Sequence, residues 1–243
     1  MAATNLFQEI WNADPNKAGL DWSNGIPGFP ADLAEIESYQ RVAAFFDNYD
    51  PAQTHRETET TLEEGEKGAL ISYVMGSECM RIVQQHMGFD DGEMQAHLMG
   101  LWFGFLNLGQ NKDLSLFEHV VIGETRGFQV SGQHFWFTFL HFYHQIPSTT
   151  DLRTFAITDF EETNSTSDVL TCRYKWIIND EPFDQGIGGF FLNCSIECFM
   201  AIYTLREFLT HSQSLPIDLN GRTYQLKLFV NAGHVRTIYP QIV

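Results

Sequence analysis

Apolar residues recur at helical spacing through roughly the first hundred positions: Leu6, Phe7, Ile10 and Trp11, then Leu33, Ile36, Val42, Phe45 and Phe46, then Leu70, Val74, Met75, Ile82 and Val83, then Leu98, Leu101, Trp102 and Phe105. A period near 3.6 predicts helices that each bury one face. Thr4 or Asn5 is suited to cap the first, which Asp14-Pro15 ends. A Gly/Pro loop, GIPGFP, runs from Gly25 to Pro30, and the charged stretch His55 to Lys67 reads as a solvated loop entering a helix. From Phe117 the texture changes to strand-like runs, HVVIGE, TFAITDF, VLTCRYKWII, TYQLKLFV and HVRTIYP. Helices are expected after His134 and over Ile196 to Leu209. Helices first and strands later predict an α+β chain rather than a regular βαβ alternation, with residues 1–110 mainly helical and the strands concentrated in 111–243.

A chain of 243 residues can bury a large core, as one two-lobed domain or two small ones. Its hydrophobic share of 44% and its 21 Phe exclude a disordered polymer. The sequence has no apolar run long enough to span a membrane and no basic leader, so the expectation is a cytoplasmic protein without a membrane partner. Cys79, Cys172, Cys194 and Cys198 form no CxxC pair and read as reduced thiols. Charge changes the picture most. With 31 Asp and Glu against 14 Lys and Arg the net charge is −17, and a polyanion meets repulsion at such a surface. The expected partner is therefore a small molecule, with long RNA disfavoured and DNA excluded.

Candidate chemistry concentrates between Phe117 and Trp136, FEHVVIGETRGFQVSGQHFW, where His119 and His134 flank a glycine-punctuated segment and Glu118 and Glu124 lie beside the first. Two imidazoles in one cleft can take a proton from one atom and give one to another near neutral pH. A lone His in an apolar run is more often a packed core residue, and the pairing is what points to function. The aromatic crowd from Phe135 to Tyr143 is expected to be mostly core, with part of it near the histidines lining a pocket for an apolar molecule. His141 follows His134 by two helical turns, too far for the two to share one ion without rearrangement, and no HxxxH or HExxH is present. No metal site is predicted.

The histidine run resembles the signature of the EndoU family, the poly(U)-specific endoribonucleases, whose core reads approximately FEHVFVGE…GFHNW. Other segments are similar in order along the chain: IWNADPNK at Ile10 to Lys17 to LWDADxNR, DNY at Asp47 to Tyr49 to LDNY, SIECFMAIYTL at Ser195 to Leu205 to SPEFExALYTL, and TIYP at Thr237 to Pro240 to TAYP. The resemblance implies an EndoU-like α+β fold, an N-terminal helical region followed by two antiparallel-sheet lobes with a cleft between them. It also implies a site in which two histidines and a lysine cleave RNA 3′ of uridylate to a 2′,3′-cyclic phosphate, often with manganese. By position His119 and His134 match the catalytic histidines, Glu118 and Glu124 the flanking carboxylates, and Tyr239 the tyrosine lining the nucleotide pocket.

The departures carry equal weight. The family lysine falls in a pattern like WxGxxKP, where WIINDEP, Trp176 to Pro182, has Glu181; Phe135 and Asn193 replace a family Asn and Gly. A carboxylate in place of that cation repels a phosphate. The expected catalytic set is thus His119, His134, Tyr239 and Glu181, with Glu118, Glu124, Trp136 and Ser195 contacting substrate. The leading expectation is a lyase- or cyclase-like acid/base enzyme acting on a small molecule without a cofactor. The alternative is a uridylate-specific endoribonuclease in which Arg236, Lys227 or a manganese ion supplies the missing charge. A catalytically inactive binding protein stands third.

Overall fold

In a computed structural model the described residues are 3–46, 50–52, 60–104, 106–107, 113–145, 155–231 and 233–243. Asp47 to Tyr49 and the part of the charged loop before Thr60 lie outside them. Helix α1 is Ala3–Asn12, so Thr4 and Asn5 fall in its first turn rather than before it. Helices α2 (Glu37–Ala43), α3 (Thr61–Met75), α4 (Glu78–Met87) and α5 (Asp91–Phe103) follow. Local chemistry sets their ends: Thr60 with Glu63 and Asp90 with Glu93 form reciprocal capping boxes at α3 and α5, Ser77 caps α4, and Gly88 ends it at φ +72°.

The second half begins with a short pair, β1 (Leu106–Asn107) and β2 (Asp113–Leu114), and a π-helical turn, Glu118–Ile122. Then come β3 (Glu124–Arg126), β4 (Gln129–Ser131), α6 (Trp136–Tyr143), β5 (Phe155–Ser165), β6 (Val169–Ile178) and β7 (Glu181–Phe191). The chain closes with α7 (Ile196–Leu209), β8 (Ser214–Leu219), β9 (Arg222–Asn231) and β10 (His234–Ile242). One sheet has five strands in the order β3-β4-β7-β6-β5 and another three in the order β10-β9-β8. All pairs are antiparallel except β4 with β7, which is parallel at Gln129 opposite Asp184.

Three sequence expectations change. HVVIGE is the π-helical turn and not a strand: its Val and Ile side chains are buried together and its carbonyls are taken by a neighbouring segment, leaving no ladder to join. EPFDQGIGGF, which carries Pro182 and three glycines and is absent from the strand-like runs named above, is the central strand β7, and β8 is likewise absent from them. The segment between β6 and β7 is a two-residue hairpin, Asn179-Asp180, with φ of +51° and +67°.

Helices and sheets share one hydrophobic core, organised around α7, which packs against α1, α2, α3 and α4. Buried polar groups lock that arrangement. The Glu197 carboxylate accepts from Ser38 Oγ (2.6 Å), Asn16 Nδ2 (2.6 Å) and Tyr73 OH (3.1 Å), while Asp14 Oδ2 accepts from the Ser195 amide at 2.8 Å. Burial pushes the Asp14 carboxyl above its usual range, partly offset by its Ser195 and Asn16 bonds. The IWNADPNK and SIECF segments thus meet as a structural clamp. Glu197→Ala would strand three donors, and its unfolding free energy in urea is expected to fall by roughly 2–4 kcal/mol, with Glu197→Gln intermediate.

Candidate active site

His119 sits in the π-helical turn and His134 in the extended segment before α6. Backbone bonds clasp the two: the Gln133 amide donates to His119 O at 2.8 Å and the His134 amide to Val120 O at 2.6 Å. That approach requires glycine at 132. Its φ is +80°, and a Cβ there would lie 1.9 Å from His119 O. Gln133 follows, itself at φ +56°, its Oε1 accepting from Tyr174 OH (2.6 Å) and Trp176 Nε1 (3.0 Å). The turn that carries His134 is therefore held by β6 as well as by the π-helical turn.

His119 Nδ1 lies 3.2 Å from Oε2 of Glu124, which is fully buried. A carboxylate can only accept, so Nδ1 carries the proton and Nε2 is left for other work. The His134 ring stacks on Tyr239 of β10, with centroids 4.9 Å apart at 26°, and Tyr239 in turn stacks on the partly exposed Phe229. Tyr239 reaches this place because Gly189 of β7 has no side chain: a Cβ there would lie 2.4 Å from Pro240 O. Burial, reinforced by the charge on His119, drives His134 down to about 3, with the Gly189 backbone opposing. Its imidazole is neutral at physiological pH. Burial likewise raises Tyr239, which stays protonated.

The remaining predicted residues divide. Glu118 is half-buried and its Oε2 accepts from both the amide and the hydroxyl of Ser115 at 2.8 Å, so it shapes the start of the histidine turn; burial raises its carboxyl despite those bonds. Trp136 and Ser195 are fully buried, and the expectation that they contact substrate is corrected: Trp136 Nε1 donates to Cys194 O at 2.7 Å, and Ser195 Oγ caps α7 by accepting from the Cys198 amide. Glu181 is exposed at the first position of β7, opposite Ile178, and makes no hydrogen bond or ion pair with either histidine among the described residues. The polar side chain that β7 sends to the histidine segment is Gln185, whose buried Nε2 donates to Gly132 O at 2.7 Å. Sequence reasoning passed over it because three glycines and Pro182 hide the strand's alternation.

His141 lies in the core against Phe46 at 4.9 Å, and burial lowers it to about 4. Among the described residues no three His, Cys, Asp or Glu side chains gather as a metal-ligand set. An open groove of about 760 Å³ on the larger sheet is lined by Tyr174 and Gln185 among others, the same residues that bond Gln133 and Gly132.

An imidazole with a buried carboxylate at Nδ1 and a desolvated neutral imidazole stacked on a tyrosine form a cluster between two sheets whose groups can give and take protons. Residues 27–240 match the family model described as Endoribonuclease XendoU. The chain belongs to that family. It is 25% identical to the poly(U)-specific endoribonuclease of Xenopus tropicalis over 99% of this chain and 93% of the relative. To the uridylate-specific endoribonuclease C of Danio rerio it is 24% identical, over 99% and 88%. A solved structure of XendoU, described as a splicing-independent snoRNA-processing endoribonuclease, superposes with a TM-score of 0.75 at 19% identity over 99% of this chain and 97% of that one. The fold is therefore the EndoU-like α+β fold. The relatives named are nucleases, and none lends support to a lyase or cyclase acting on a small molecule.

Neutral burial of His141 has a pH signature. Its folded value, about 4, lies below the ordinary 6.5, so the unfolded chain takes up that proton first. The stability present above pH 6.5 is lost progressively as pH falls towards 4. Between those limits wild type is expected to lose up to roughly 1.4 kcal/mol per pH unit more than His141→Leu in parallel urea titrations; superimposable slopes would contradict it.

Proposed function

We propose that this protein is an endoribonuclease that cleaves RNA at uridylates by the acid/base work of His119 and His134. The observation that carries the reading is the opposite environment of two clasped imidazoles. In the proposed step neutral His134 accepts the proton of a ribose 2′-hydroxyl as its oxygen attacks phosphorus. The bond from phosphorus to the 5′ oxygen breaks, and His119, its imidazolium steadied by Glu124, protonates that leaving oxygen. The products are a 2′,3′-cyclic phosphate and a free 5′-hydroxyl. Tyr239 and Phe229 offer an aromatic stack on which a base can lie.

The charge objection weakens at this locality. Net charge is −17 overall, yet Arg126 and Arg236 both lie within electrostatic reach of one another, and Arg236 also feels Glu124. Local cations and not net charge decide phosphate contact. The repulsion expected from Glu181 loses its footing because that carboxylate is on an exposed hairpin end. No step here is routed through manganese, since the described residues offer no ligand set for it.

Incubated with a uridine-rich oligonucleotide, the purified protein is expected to yield 2′,3′-cyclic phosphate ends. His134→Ala and His119→Ala should each lower kcat by about 10² to 10⁴. Absence of cleavage by wild type, with and without manganese, would reject the reading.

A further inference from the structure

The family resemblance calls for a cation beside the two histidines, and neither Glu181 nor Gln185 carries one. Two basic residues flank Tyr239. Lys227 stands opposite it in the β9–β10 ladder, but its Nζ is turned to the β8 side, donating to Ser214 Oγ at 3.3 Å. Arg236 differs. The β10 register runs Val235 opposite Val230 and then Thr237 opposite Phe229, leaving Arg236 as the unpaired residue of a β-bulge. A bulge re-aims the side chain it carries and is a common device next to active sites. Here it lies in the strand that packs on the Glu118–Ile122 turn, a few residues before the tyrosine that stacks on His134.

The state of that guanidinium is unusual. Nη1 is buried and has no hydrogen-bond partner, and Arg236 makes no ion pair among the described residues. Glu124 attracts it and Arg126 repels it from beyond ion-pair distance, while burial lowers its proton affinity. A half-buried guanidinium whose buried Nη1 lacks a partner is costly unless an anion meets it, and its planar fork suits phosphate oxygens.

We propose that Arg236, displaced from the ladder by the β10 bulge, is the phosphate-binding cation of this site and takes the place of the family lysine from a different strand. This rests on the ribonuclease reading. In it Nη1 meets a non-bridging oxygen of the scissile phosphate, between the 2′ side served by His134 and the 5′ side served by His119.

The test uses the full chain and two probes, uridine 3′-monophosphate for binding and a uridine-rich oligonucleotide for cleavage. Arg236→Gln, which keeps a planar amide in place of the charge, is expected to weaken the nucleotide about 10- to 100-fold while uridine itself binds as in wild type. Cleavage should fall about 10²- to 10³-fold, and Arg236→Lys should recover most of both. Lys227→Gln should leave nucleotide affinity within about twofold. Melting curves establish that each variant is folded; if Arg236→Gln is not, the salt dependence of wild-type binding replaces it, and an affinity for uridine 3′-monophosphate that does not fall with rising salt counts against the proposal. Wild type that cleaves and loses activity with His134→Ala, but is indifferent to Arg236→Gln, overturns the inference and leaves the ribonuclease reading intact. Wild type that neither cleaves RNA nor binds the nucleotide overturns both.

Discussion

The close pass of the Gly132–His134 segment against the π-helical turn is the constraint on which the site depends. Two backbone bonds, to His119 O and Val120 O, bring histidines that are distant in sequence into adjacent positions. Only a residue without a Cβ can make that pass, and a side chain at Gly132 would enter the His119 carbonyl. Everything around it serves to hold it: Gln133 is tied to Tyr174 and Trp176, and Gln185 returns a bond to Gly132 O. A π-helical turn leaves carbonyls free for such an outside partner, which is why these irregular turns recur at functional sites. A second close pass, Gly189 under Pro240, brings Tyr239 of the other sheet onto His134.

Packing then dictates electrostatics. Both imidazoles are nearly buried, but one faces the Glu124 carboxylate and the other an aromatic ring. Imidazoles on two segments joined by backbone hydrogen bonds disfavour each other's protons, and the desolvated one stays neutral. The same logic makes net charge a poor guide to what one locality attracts, because Arg236 and Arg126 lie within electrostatic reach of one another in an otherwise acidic protein.

Much of this was legible in the sequence, for identifiable reasons. VLTCRYKWII is β6 and Ile196–Leu209 is α7, since side-chain periodicity survives wherever one face is buried. His119, His134 and Tyr239 were singled out through motif spacing, and the fold brings the His134 ring onto Tyr239. β7 was missed because Gly186, Gly188, Gly189 and Pro182 erase alternation in a strand where Gly188 and Gly189 serve close approach. HVVIGE was misjudged because β-branched runs favour strands unless tertiary bonds capture the backbone first. Trp136 and Ser195 were taken for substrate contacts since proximity in sequence to a site, or membership of a family-like motif, says nothing of exposure. Arg236 could be named from sequence only as one of several cations; the bulge that singles it out exists only once β9 and β10 are in register.

The central claim is that His119 and His134 form one electrostatically coupled pair with His134 held neutral. Titration of the imidazole resonances by NMR tests it directly, in wild type and in His119→Gln. The account predicts that His134 stays uncharged well below pH 5 in wild type and that its midpoint rises when the neighbouring charge is removed. A wild-type His134 titrating near 6.5 and indifferent to His119→Gln would contradict it.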